Sequence, residues 1–181
     1  NERLYVNPSF LFNVSDKTQI TVQGDYLKAY WTPDFGTGVI GKEIVDVPRN
    51  NYYGALWSNG ETKSASASVL LNHNFNDNWK LNFNSSFQSY DRESKGTERM
   101  QILPATVPYG TWSRPLGQNK NLEQIVGNQI SLQGNFNTGS IKHQLFTGAD
   151  WENSFATAYT YVFTPANYDT VNIFTFDPAT Q

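Results

Sequence analysis

The sequence predicts an all-β protein: an antiparallel meander of about six long strands that forms an open segment of a large transmembrane β-barrel. Three observations predict it. Apolar residues alternate with polar ones in six stretches, the mark of a strand with one greasy and one polar face. Short Asn-, Asp- or Gly-rich turns near residues 16, 77 and 138 recur at a spacing of 61 and alternate with loops of about thirty residues. The clearest stretch, Asn128 to Phe163, has arms far longer than the roughly 5–6 residues of an ordinary globular strand.

Taken in order, Arg3 to Val14 places Leu4, Val6, Phe10 and Phe12 on even positions, with Pro8 on the same parity. Proline cannot donate to a ladder, so a bulge or a missing ladder bond is expected there. Ser15-Asp16-Lys17 turns the chain. Thr18 to Tyr30 then carries Ile20, Val22, Gly24 and Tyr26 on one face and Gln19, Thr21, Gln23 and Asp25 on the other. Trp31 to Glu61 is a long loop rich in Gly, Pro and Asn. Thr62 to Phe75 puts Ala65, Ala67, Val69, Leu71 and Phe75 opposite Ser64, Ser66, Ser68 and Asn72. Asn76-Asp77-Asn78 is the second turn, and Trp79 to Arg92 sets Trp79, Leu81, Phe83 and Phe87 against Lys80, Asn82, Asn84, Ser86 and Gln88.

A second long loop is expected from Glu93 to about Gln124, with Pro104, Pro108 and Pro115. The last hairpin turns at Asn137-Thr138-Gly139-Ser140, where Asn and Gly tolerate positive φ. Before it the apolar residues are Ile130, Leu132 and Phe136; after it they include Ile141, Leu145, Ala149, Trp151, Phe155, Tyr159, Tyr161 and Phe163. A strand tilted about 45° needs about ten or eleven residues to cross an apolar band about 25 Å tall. Ten residues on from Ile141 stands Trp151, an aromatic where a membrane–water interface would fall. The outward, lipid-facing set is therefore expected to be Ile20, Val22, Val69, Leu71, Leu81, Phe83, Ile130, Leu132, Ile141 and Leu145. Asp25, Lys80, Gln133, Asp150 and Glu152 are expected to face the lumen. A partial loop from Thr164 closes the sequence.

Composition agrees. Charged residues make up 16%, aromatics 15%, and the mean hydropathy is -0.54, too polar for helical spans. A net charge of -3 gives no reason to expect nucleic-acid binding. Without cysteine there are no disulfides and no thiolate metal sites. No signal peptide or initiating Met is seen, and the chain reads as an internal fragment.

Several short patterns mimic other chemistry. Gly36 to Lys42 has the spacing of a phosphate loop, but Glu43 stands where Ser or Thr should hold magnesium, and no helix follows. The reading is a flexible loop. His73 and His143 sit on the apolar parity near short turns without an orienting carboxylate, which suits a membrane rim better than a metal site or a catalytic base. Asp150 and Glu152 share a face at a separation that superficially suits a glycosidase, yet no pocket is implied around them. Ser140 near His143 lacks a third triad member. No enzyme and no metal site is expected.

VNPSFLF, VPRNNYYG, LLNHNFNDNWKLN and NQISLQGNFNTGSIKHQLFTGADWE resemble the TonB-dependent outer-membrane siderophore receptors of the ferrichrome-receptor type. The strongest pieces are the HNF-x-x-NW turn and the TGSIKH-x-L-x-x-G-x-DWE hairpin. The resemblance covers almost the whole chain, residues 1–181, but only a middle part of the family's barrel. It implies a barrel of about 22 strands around a plug domain, with energised uptake of ferric chelates in the outer membrane of a Gram-negative bacterium. Neither plug nor TonB-contacting box lies in this sequence. The partners implied are a ferric siderophore, outer-membrane lipid, the parent's own plug and, through other regions, the TonB complex. No bound cofactor is implied. An importer of another bulky solute such as a glycan, or a passive porin, is the alternative; a soluble β module or an outer-membrane enzyme comes after them. Aromatic clusters in the two complete long loops, Tyr52, Tyr53 and Trp57, then Tyr109, Trp112 and Arg114, could wall a ferric chelate. They could equally fold the loops or form an outer girdle.

Overall fold

A computed structural model describes residues 2–102 and 108–180. Among them the elements in chain order are β1 (Glu2–Val6), β2 (Ser9–Ser15), β3 (Thr18–Trp31), β4 (Val39–Ile40), β5 (Glu43–Ile44), β6 (Asn59–Asn76), β7 (Trp79–Thr97), β8 (Gln101–Ile102), β9 (Thr111–Thr138), β10 (Ile141–Tyr159), β11 (Asn167–Asn172) and a single 3-10 turn (Pro178–Thr180). One antiparallel sheet holds the long strands in the order β1/β2, β3, β6, β7, β9, β10, so the six-stranded meander is observed. Neighbours in the sheet are neighbours in the sequence, as short hairpin connections require.

β1 and β2 are one arm interrupted at Asn7-Pro8. Val6 pairs with Tyr26 and Ser9 with Gln23, so the register against β3 is unbroken across the proline and shifts only between Asn13 and Ser15. Pro8 has no N–H to give, yet its carbonyl still accepts from the Gly24 amide at 3.1 Å. The expected disturbance is thus a missing donor rather than an extra residue. The short turns also follow from their residues. Asn76 Oδ1 accepts from the amides of Asn78 (2.9 Å) and Trp79 (3.0 Å). Gly139 has φ 61, a left-handed conformation in which a Cβ is costly.

Residues paired across an antiparallel ladder share a face. Ile20, Leu71, Phe83 and Ile130 form one cross-sheet row, and Val22 pairs with Val69 in the next. Leu81 pairs with Leu132, and Leu145 faces Gly134 beside Trp79. All ten residues expected to face outward therefore lie on one face. Its upper limit is the row of Tyr26, Ala65 and Ser89, with Phe155 across from Gln124. Its lower limit is Trp79, which stacks on Phe136, while Phe136 stacks on His143. Ser89 and Trp79 stand ten residues apart on β7, about 23 Å at a 45° tilt. That is the height of an apolar membrane band with aromatic edges.

Four boundaries differ from expectation. β7 runs on to Thr97 and β9 starts at Thr111, so most of the expected second loop is strand and the connection is confined to residues 98–110. β10 ends at Tyr159, four residues earlier than the aromatic run suggested. The segment after Thr164 contains β11, which pairs with the start of β9. The first long loop carries a two-strand ribbon, β4–β5, turning at Gly41. This ribbon occupies the phosphate-loop look-alike, and no helix follows it. Pro104 lies outside the described residues. The buried apolar core sits not on the sheet but among the loops: Tyr53, Ala55, Met100, Trp112 and Ile173.

Candidate functional site

The loop end of the sheet is built around Arg114. This residue opens the long arm of β9, where β8 pairs on one side and β11 on the other. Its guanidinium is 2% exposed. Nε donates to Asp169 Oδ1 at 2.6 Å, and Nη2 completes a bidentate pair with Oδ2. Nη1 donates to the Tyr53 carbonyl at 3.2 Å. The rings of Phe176 and Tyr168 lie 4.9 Å and 5.3 Å from its centre. A planar, permanently charged fork suits such a position, because each edge finds an acceptor and each face a ring. One side chain thereby ties the first loop, the start of β9 and the β11 segment together.

The surrounding core follows from the same convergence. Tyr53 stacks on Phe176 at 5.5 Å and donates its hydroxyl to the Ile173 carbonyl at 3.2 Å. Trp112 is fully buried, with the backbone of Gly38 close against its ring. Tyr52 brings its hydroxyl within 3.1 Å of the Ala55 carbonyl and 3.2 Å of that of Pro33, bracing the loop on itself. The Ala55 amide donates to Thr97 Oγ1 at 3.2 Å, anchoring the loop to the end of β7.

Of the six loop residues singled out from sequence, Tyr53, Trp112 and Arg114 are therefore spent on folding the loops. Their burial leaves no surface for a bulky solute. Tyr52 is braced by its hydroxyl, whereas Trp57 and Tyr109 stay exposed. Trp57 meets Tyr168 edge-to-face at 5.7 Å, and Tyr109 stacks on Phe174 at 5.7 Å. Tyr168 and Phe174 were not singled out. Their signal is aromatic content within a stretch read only as a partial loop.

Asp25, Lys80, Gln133, Asp150 and Glu152 share the face opposite the apolar one. Asp25 pairs with Ser66 and accepts its hydroxyl at 2.8 Å; Lys80 pairs directly with Gln133. Asp150 and Glu152 pair with Gln129 and Gly127. This face is rich in Ser, Asn and Gln, a hydrogen-bonding wall of low relief. His73 Nδ1 lies 2.8 Å from Thr18 Oγ1, and both histidines meet rings on the apolar face. Among the described residues no group of three or more His, Asp or Glu could hold a metal ion.

No family model matches the chain. The catecholate siderophore receptor Fiu of Escherichia coli K12 is 24% identical over 96% of this chain, and the metal-pseudopaline receptor CntO of Pseudomonas aeruginosa is 25% identical over 83% of it. Among solved structures, the open form of the ferric-catecholate import receptor Fiu from E. coli K12 aligns with a TM-score of 0.79 at 23% identity, covering 97% of this chain and 30% of that one. The siderophore receptor PiuA from Acinetobacter baumannii gives 0.73 at 20% identity over 86% of this chain and 23% of its own. The fold is similar to that of the matching β-barrel segments in these structures. This chain spans about a quarter of the length of the curated relatives it matches, 25% for Fiu and 21% for CntO. The ferrichrome type is not supported, because the relatives are named for catecholates and a metallophore. The HNF-x-x-NW and TGSIKH motifs sit at short turns, away from the loop cluster, so they carry barrel geometry and no ligand information.

Proposed function

We propose that this chain is part of an outer-membrane receptor that binds and imports ferric siderophores with TonB-supplied energy in a Gram-negative bacterium. The observation that carries this reading is the pairing of two ends with different chemistry. An apolar face about 23 Å tall ends in short turns at one side. At the other it ends in a loop cluster with a core of its own and an aromatic surface. In the proposed arrangement the short turns lie in the periplasm and the loops outside the cell. Asp25, Lys80, Gln133, Asp150 and Glu152 line the lumen against a plug domain. The rest of the barrel, the plug and the TonB-contacting segment lie in sequence beyond these 181 residues. The chain's role is binding and passage, not catalysis, and the siderophore is cargo.

Within the ligand class, a ferric catecholate is the preferred cargo and a ferric hydroxamate the second choice. The relatives' names support the first. So do the exposed pairs Trp57/Tyr168 and Tyr109/Phe174, since flat catechol rings stack on such surfaces. The test changes Trp57, Tyr109, Tyr168 and Phe174 to Ala singly in the full-length receptor, with equal amounts at the cell surface. Uptake of a ferric catecholate and of a ferric hydroxamate is measured in iron-starved cells. At least one variant should lose tenfold or more in catecholate affinity, as loss of an aromatic anchor costs about 2 kcal/mol. Uptake of a glycan, and of neither chelate, by the parent would replace the reading with the glycan-importer alternative.

A further inference from the structure

The loop end of the sheet joins the wall without a hinge. The β7–β9 ladder runs without a register shift from Trp79 and Gly134 up to Thr97 and Leu116. Backbone bonds then carry it on along both edges of β9: the Glu98 amide donates to the Pro115 carbonyl, and the Leu116 amide to that of Ala166, each at 2.8 Å. We infer that the loop cluster standing on this wall is a fixed jaw rather than a lid, and that it offers the Trp57/Tyr168 and Tyr109/Phe174 rings to cargo in one preformed position. The inference rests on the receptor reading above and adds to it how the cargo is met.

The first loop is pinned at both roots and along its middle. At its start Trp31 lies across the backbone of Gly60 and leaves no space there for a Cβ. The indole Nε1 donates to Thr62 Oγ1 at 3.1 Å, and the Arg92 guanidinium lies 4.5 Å from the ring centre. At its end Ser58, 6% exposed, fills the space over Gly96 where a side chain would stand. Between the roots, Ile40, Val45 and Val47 pack on the buried core around Tyr53 and Trp112. The segment that carries Phe174 is tied as firmly. The Ile173 amide donates to the Gly110 carbonyl at 3.0 Å, and Asn172 Nδ2 to that of Tyr109 at 2.7 Å. A closing lid needs a few residues free to absorb a large change in φ and ψ. Neither root offers them, because a rotation there drives Trp31 or Ser58 into a neighbouring backbone. Gly36 and Gly41 are unpacked, but they lie inside the loop by the β4–β5 ribbon and not at its roots. Local opening is costly where apolar side chains are buried, and the buried apolar core of the described residues lies in this cluster. A surface already held in place loses no further freedom when it binds, which favours affinity.

The experiment uses the full-length receptor. Ala55→Cys and Thr97→Cys are combined, to tie the first loop to β7 where the Ala55 amide meets Thr97 Oγ1 at 3.2 Å. Disulfide formation is verified by mass spectrometry, and uptake of a ferric catecholate is measured in iron-starved cells before and after reduction. The oxidised double variant should import within about twofold of the parent, whereas a loop that must swing would lose uptake about tenfold or more and regain it on reduction. Independently, nitroxides at Leu56→Cys and Ser89→Cys, both outside the ring pairs, report the distance from loop to wall by pulsed electron resonance. Saturating ferric catecholate should move that distance by less than about 2 Å. Uptake lost on oxidation and recovered on reduction, or a larger shift of the nitroxide distance, overturns the fixed jaw while leaving the receptor reading intact. Where the double variant fails to fold or to cross-link, the nitroxide distance decides alone. A parent that binds and imports no ferric chelate overturns the receptor reading and the inference with it.

Discussion

Replacing Arg114 by Ala should unlock the loop cluster without unfolding the sheet. The side chain is buried and makes a bidentate ion pair, a carbonyl bond and two ring contacts. Breaking a buried pair typically costs about 3–5 kcal/mol, because a charge is left without its partner. Asp169 keeps 36% of its side chain exposed and regains water, which places the expected cost at the low end, about 3 kcal/mol. These contacts join loop segments to β11 and the start of β9 and lie outside the rows from Trp79 to Ser89, so the loss should appear as local opening. Hydrogen exchange on the full-length receptor reads it directly. Protection of the amides of Ala55, Ser58 and Ile173 should fall about 100-fold, since every 1.4 kcal/mol is a factor of ten. The amides of Val69, Leu71, Phe83 and Ile130 should not change. Unchanged protection at Ala55 and Ile173 would refute the clamp. An equal loss across the sheet would refute the separation of the loop core from the wall.

Three further outcomes follow from the same geometry. Arg in place of Val69 or Leu71, on the apolar face, should cost about 2–4 kcal/mol in a bilayer unfolding assay, and Arg in place of Ser68 on the other face much less. Gly139→Val should weaken the β9–β10 turn by about 1–2 kcal/mol, because φ 61 is costly for a residue with a Cβ; refolding titrations of the parent and variant measure it. The Glu61 carboxyl is held down to about 2, chiefly by the hydrogen bond from Lys63, against its partial desolvation. Its folded value lies below the ordinary 4.5, so its contribution is complete above that pH and fades as pH falls toward 2. The stability difference between the parent and Glu61→Gln should therefore be flat above about pH 5 and vanish near the acid end.

The wall was legible in the sequence for a physical reason, and so was the limit of that legibility. On the proposed barrel reading one face between Trp79 and Ser89 meets hydrocarbon and the other water, so Leu81, Phe83 and Phe87 alternate with Asn82, Asn84 and Ser86. Beyond that band both faces are wet and nothing enforces the period. Thr111 to Gln124, with Pro115, Gly117 and three of its residues Asn or Gln before Leu122, consequently reads as loop although it is strand. The roles of Trp112 and Arg114 were hidden differently. Their partners Tyr53 and Asp169 lie about sixty residues away on either side, and only the register of β9 with β11 brings them together. Aromatic content pointed to the right end of the molecule. It could not separate the buried Tyr53 and Trp112 from the exposed Trp57 and Tyr109.

The central claim is that one face of this sheet meets lipid. Nitroxide labels placed singly from Ser66 to Leu71 in the full-length receptor, in bilayers, test it. Collision with oxygen, which concentrates in hydrocarbon, should be high at Ala67, Val69 and Leu71 and low at Ser66, Ser68 and Leu70. A water-soluble paramagnetic nickel complex should be excluded from the first set. Accessibility without alternation, or free access of the nickel complex to Val69 and Leu71, would contradict the barrel.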